Sequence, residues 1–171
     1  MFSKLSGLGV GTSLFVAACA TVLVAGTANA APMPDGNVTW RNVDVNQYLD
    51  VAGNSHSNGA WVITYKKTGG KNQTWRDHRL SNGNFLEQPQ NTTDSSGNFT
   101  MCLDASGGRV DAAVIQWQCN GGSNQQWKEG KSNGHWYLQN QAHGQYLQSG
   151  GTNAQVIVRS DCDPCNSQLW D

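Results

Sequence analysis

Cys162 and Cys165 occur in the order Cys-Asp-Pro-Cys. That spacing can serve dithiol redox exchange, half of a zinc site, or a small disulfide ring. A redox pair belongs ahead of a helix in a βαβ unit, and the sequence offers no such unit. A zinc site wants two more ligands nearby, and neither a second cysteine pair nor a histidine cluster is evident. His56, His78, His135 and His143 are scattered, and no Gly-x-Ser-x-Gly turn supplies a nucleophile. The two glutamates, Glu87 and Glu129, form no obvious pair for glycoside hydrolysis. The residues therefore suggest no catalytic group, no metal set and no cofactor.

A different pattern recurs. Gln73-Thr74-Trp75, Gln125-Gln126-Trp127 and Gln168-Leu169-Trp170 repeat Gln-x-Trp, with the tryptophans 52 and then 43 residues apart. Aligned back from each Trp, the chain divides into three units: 48–75, 102–127 and 146–170. Each has a short strand ending in Leu, a turn of Gly, Asn or Ser, and an apolar strand (Val62-Ile63, Val114-Ile115, Ile157-Val158). A polar loop then leads to Gln-x-Trp. The stretch 89–98 reads as a loop insertion that lengthens the first interval. Gln and Trp two apart on a strand point to the same face. Three indoles meeting at one centre can fill it, each burying on the order of 200 Å², while each Gln satisfies buried backbone groups. Three such units sharing a core give an all-β, pseudo-threefold closed barrel.

The elements around these units are consistent with an exported domain. Lys4 precedes a long small and apolar run that ends Ala28-Asn29-Ala30. This has the form of a secretory signal peptide over 1–30, cleaved after Ala30. A lipid anchor at Cys19 competes, but the apolar run continues past it from Thr21 to Ala28. Cleavage removes one of the eleven Lys and Arg residues and none of the twelve acids, leaving a small net negative charge. That gives no drive toward nucleic acid or anionic membrane. No long window has a 3.6-residue apolar period, and no second stretch is long enough to cross a bilayer. The remaining four cysteines, in an exported chain, indicate two disulfides.

The triple Gln-x-Trp, the Cys-Leu-Asp opening at 102–104 and the unit spacing resemble the ricin B-type lectin family, which has a β-trefoil fold. The resemblance covers about 37–171. It implies a carbohydrate-binding protein, with galactose-type glycans as the favoured ligands. It places a carboxylate after the first-strand Leu, an aromatic two residues before the second cysteine position, and an Asn immediately before the Gln. Carried over to the second unit, these are Asp104, Trp117 and Asn124, with Gln125 steadying the Asp; Ile115 departs from the Gln of many members. In the first unit they are Asp50, Tyr65, Asn72 and Gln73. The third unit has Gln148, Ser160 and Ser167 in these places and is expected to be structural. Chemically, a planar ring receives the C–H face of a pyranose, and a carboxylate with an amide grips its hydroxyls. The loss of all three groups together in one unit is not what a turn-capping role for the aspartates predicts.

The same resemblance implies a Cys102–Cys119 disulfide, with Cys165 replacing the missing partner of Cys162. Trp61 could give the first site a second face or flank the core. Lys66, Lys67, Lys71, Arg76 and Arg79 could be a solvated face or could favour an anionic glycan. Asn37, Asn72, Asn91 and Asn98 fall in Asn-x-Thr sequons. A monomer is expected. Two other roles remain open: a trefoil that docks on a protein or inhibits a protease through 89–98, and a targeting subunit for a separate toxin or hydrolase.

Overall fold

A computed structural model describes residues 36–171; the expected signal peptide, Cys19 and the cleavage point lie outside them. The strands are β1 (Gly36–Val38), β2 (Tyr48–Val51), β3 (Val62–Tyr65), β4 (Trp75–Arg79), β5 (Phe85–Pro89) and β6 (Met101–Ala105). They continue with β7 (Val114–Gln118), β8 (Trp127–Ser132), β9 (His135–Asn140), β10 (Tyr146–Gln148) and β11 (Ile157–Arg159). Only single 3-10 turns accompany them among the described residues, as the absence of a helical apolar period predicts. No helix there is long and apolar enough to cross a membrane.

One sheet runs β1-β4-β5-β8-β9 and passes through β9 to β10-β11. Its ends are joined through the last residues: Asn42 and Trp136 both bridge to Trp170, and Arg41 exchanges backbone hydrogen bonds with Asp171. A barrel closed in this way has no free edge strand. The hairpins β2-β3, β6-β7 and β10-β11 cap one end. They touch in a ring of three bridges: Trp61 to Ile115, Ala113 to Ile157, and Ile63 to Gln155. The expected pseudo-threefold trefoil is present.

Trp75, Trp127 and Trp170 are fully buried, as expected of a core device. Each indole N–H donates to a first-strand leucine carbonyl, of Leu49, Leu103 and Leu147 respectively, each at 3.1 Å. A fourth indole, Trp40, joins the same core without any Gln-x-Trp to announce it. The glutamines satisfy backbone groups as expected, but from a different place. Gln73, Gln125 and Gln168 end 3-10 turns (Lys71–Gln73, Ser123–Gln125, Asn166–Gln168) rather than lying on the strands with their tryptophans. From there Gln73 accepts from the Thr68 and Gly69 amides and donates to the Lys66 carbonyl. Gln125 does the same with Asn120, Gly121 and Gln118. A buried amide thus closes the preceding loop, which would otherwise leave backbone groups unpaired.

Both disulfides form in the pairing the resemblance implied. Cys102–Cys119 ties the ends of the β6-β7 hairpin, and Cys162–Cys165 closes its short ring. The 17-residue separation of the first pair corresponds to about 3 kcal/mol of chain entropy removed from the unfolded state. The 89–98 insertion is a turn Gln90–Thr92 with Asn91 and Thr92 buried, followed by an exposed tip. The tip is closed on itself: Asp94 accepts from the Ser96 and Asn98 amides, and Thr93 bridges to Phe99.

Candidate functional site

Asp50 lies on β2 directly opposite Ile63 of β3, and Asp104 on β6 directly opposite Ile115 of β7. Tyr65 and Trp117 lie two residues further along the second strand, so each ring shares a face with its isoleucine. The 3-10 turn of Gln-x-Trp then brings two amides against each carboxylate. Asn72 Nδ2 donates to one oxygen of Asp50 at 3.0 Å and Gln73 Nε2 to the other at 2.8 Å. Asn124 and Gln125 do the same to Asp104, both at 2.9 Å. All eight residues expected from the sequence are therefore assembled into two constellations of matching geometry.

Each constellation opens into a cleft. Asp104, Ser106, Gly107, Ile115, Trp117 and Asn124 line one of about 260 Å³. Asp50, Gly53, Ile63, Tyr65, Thr68 and Asn72 line another of about 390 Å³. Trp117 is 41% exposed, which is far from the burial of a core ring. Burial pushes the Asp50 and Asp104 carboxyls above the ordinary aspartate value, against the amide hydrogen bonds that pull them down. Each acid is thus fixed by two donors, with a ring beside it and open space in front.

Two glycines escaped the sequence reading. A Cβ on Gly70 would lie 2.5 Å from Asn72 Oδ1, and one on Gly122 would lie 2.7 Å from Asn124 Oδ1. The site asparagines need a residue without a side chain at the head of the turn. The third unit, with Ser167 in place of the Asn, has Cys165 at that point.

The third unit also corrects the alignment. Strand pairing sets Tyr48 opposite Tyr65, Cys102 opposite Trp117, and Tyr146 opposite Arg159. Arg159, not Ser160, therefore occupies the ring position, and it forms an ion pair with Asp111 at 3.3 Å. The cysteine was a misleading ruler because the loop before Gln168 is one residue longer than its counterparts. Gln148 does take the place of the aspartate and accepts from Gln168 at 2.8 Å.

None of the cations expected near the first cleft lines it, and three of them lie over rings. Lys67 lies over the Tyr48 ring, Arg76 over Phe99 and Arg79 over Phe85. Trp61 is 60% exposed, which rules out a core role. The two glutamates, which formed no evident pair in the sequence, are brought together with Asp77: ligand atoms of Asp77, Glu87 and Glu129 lie within 4.8 Å of one another. Trp40 Nε1 donates to Glu87 at 3.0 Å. Burial, with neighbouring acids adding to it, pushes Glu87 well up, and burial first and then Asp77 push Glu129 to about 8. None of the three lines either aspartate cleft.

The family model for ricin-type β-trefoil lectin domain-like proteins matches residues 95–159. A designed threefold-symmetric protein, ThreeFoil, is 31% identical over 80% of this chain and 96% of its own, with a TM-score of 0.70. The chain belongs to the ricin-type β-trefoil lectin family. The agglutinin of Rhizoctonia solani has the same fold at 19% identity, covering 83% of this chain and 96% of the agglutinin, with a TM-score of 0.69. An exo-β-1,3-galactanase from Clostridium thermocellum matches at 20% identity and a TM-score of 0.68, over 81% of this chain and only 30% of the enzyme. Some lectin-like domains of this fold are thus carried by enzymes. No protein of curated function matches the sequence.

Proposed function

We propose that this lectin-family domain binds carbohydrate through two sites, Asp50–Tyr65–Asn72–Gln73 and Asp104–Trp117–Asn124–Gln125, with galactose-type glycans as ligands. The observation that carries this reading is the double clamp on each aspartate beside an open ring and cleft. The clamp fixes the carboxylate orientation before ligand arrives. Its remaining lone pairs accept from sugar hydroxyls, the asparagine's amide group offers further polar contacts, and Tyr65 or Trp117 receives the apolar face of the pyranose. Fixing these groups beforehand lowers the entropy lost on binding. No proton moves and no bond is broken, so no catalytic residue is needed.

The domain acts as a monomer exported with residues 1–30 removed. Mass spectrometry of the exported material should find Ala31 first; a form beginning at Cys19 would support the lipid anchor instead. A role as the targeting part of a separate toxin or hydrolase is compatible with the same two sites, and the enzyme-borne domains of this fold favour it. Docking on a protein through 89–98 has less support, because the tip of that loop is closed on itself. A glycan array probed with residues 31–171, with and without galactose as competitor, tests the reading. Galactose-suppressed binding to terminal galactosides is expected; binding to no glycan would overturn it.

A further inference from the structure

The second cleft is bordered by a residue from the first unit. Trp61 bridges to Ile115, which lines that cleft two residues before Trp117 on the same strand. Directly opposed residues of an antiparallel pair project from the same face with neighbouring side chains. Val62 and Val114 are fully buried, so Trp61, Ile115 and Trp117 share the outward face. Trp61 is then the next ring along from Trp117, roughly 7 Å of strand away.

Its position is fixed by the second unit. Gln116 donates to the Ser55 and Ser57 carbonyls at 2.9 and 3.0 Å, and the Gln118 amide donates to Asn58 Oδ1 at 2.7 Å. Gly59, at φ +79°, approaches so closely that a Cβ there would touch Trp117 at 3.8 Å. This anchoring contrasts with an exposure of 60%, the kind of cost in apolar surface that a binding face explains.

The pseudo-threefold provides an internal control. The bridge partner from the preceding hairpin is Trp61 at Ile115, Ala113 at Ile157 and Gln155 at Ile63. A position required for packing would be apolar and buried in all three. An indole occurs only beside the cleft that has the larger platform, Trp117.

We propose that Trp61 forms a second stacking subsite for the second-unit site, which therefore binds a chain of at least two sugar rings. The first sugar sits on Trp117 against Asp104 and the next on Trp61. The first cleft, with Gln155 at the corresponding place, lacks this platform and treats mono- and disaccharides alike. This inference rests on the sugar-binding reading above.

The experiment uses the chain with Asp50→Ala, so that only the second site reports, and compares calorimetric affinities for galactose and for β1,3-linked galactobiose. Trp61→Ala should lower galactobiose affinity about five- to tenfold, the worth of one lost stacking contact, and leave galactose affinity unchanged. Trp61→Phe, which keeps a ring, should restore most of the loss. Equal losses for both sugars would make Trp61 part of the first sugar's site, and no loss for either would make it a surface for something other than sugar; both outcomes overturn the subsite. Asp104→Ala in the same background separates the two failures. If it leaves both affinities intact, or if neither sugar binds the starting protein, the site reading itself falls and the subsite with it.

Discussion

The second and third units are built alike and equipped differently. Both bury a Gln-x-Trp tryptophan whose indole N–H reaches a first-strand leucine carbonyl. Both join a first strand to a second, with an isoleucine facing the position of interest. Yet Asp104 corresponds to Gln148, Trp117 to Arg159, Asn124 to Ser167, and Gly122 to Cys165. The scaffold is retained because all three units share one core, and losing any one tryptophan opens it. The ring faces outward, and the buried aspartate's place is filled in the third unit by Gln148, which still accepts from Gln168, so the site groups can be lost together while the fold is kept. Even the loop closure is relaxed: Gln168 Oε1 is buried without a partner, where Gln125 Oε1 accepts two amides.

The largest effect that separates scaffold from site is expected from tryptophan. Trp127→Ala should destabilise the fold by about 3–5 kcal/mol, the cost of a large cavity, and Trp170→Ala should match it although its unit has no site. Trp117→Ala, on the exposed ring, should leave the denaturation midpoint nearly unmoved while disabling the second site. Urea unfolding of the three variants checks this. A core-sized loss for Trp117→Ala would mean that the platform is scaffold after all.

A second effect concerns the acids between the units, Asp77 of β4 and Glu87 of β5 beside Glu129 of β8. The Glu87 and Glu129 carboxyls are raised in the fold, so their stabilising contribution is complete below the unfolded-state value near 4.5 and, for Glu129, is lost as pH rises through about 8. Thermal stability should therefore fall between pH 5 and pH 9, and Glu129→Gln should flatten that slope. A stability that climbs over this range would contradict the arrangement.

A smaller effect tests the glycine. Gly122→Ala should push Asn124 off Asp104 and weaken only the second site, several-fold, at the scale of one hydrogen bond of about 1 kcal/mol. Gly70→Ala should do the same to the first site alone. No effect is expected from Gln148→Ala or Ser160→Ala on sugar titrations, since neither belongs to a site.

The fold was legible because its signal is threefold: one Gln-x-Trp fits many structures, but three at near-equal spacing fit few. Asp50, Asp104 and their partners were legible for the same reason, as correlated presence in two units and absence in the third. Arg159 was not, because an extra residue in the Ser160–Cys165 loop shifted the count by one. A one-residue slip moves a strand residue to the opposite face. Trp40 escaped because it lies between β1 and the closing bridge of Asn42, outside the repeats. The acid cluster escaped because Asp77, Glu87 and Glu129 become neighbours only through the pairing of β4, β5 and β8. Gly70 and Gly122 could have been found: each lies two residues before a site asparagine, and the unit without the asparagine lacks the glycine.

The central claim is that two aspartate-based sites, and no third, bind sugar. Calorimetric stoichiometry with galactose tests it most directly, on the parent chain, Asp50→Ala, Asp104→Ala and the double variant. Each single change removes a charge-assisted hydrogen bond worth roughly 1.5–3 kcal/mol, and the sites lie in separate units and should act independently. The account predicts two sites, one, one and none, with the double variant still unfolding cooperatively. Three sites in the parent, or undiminished binding by the folded double variant, would contradict it.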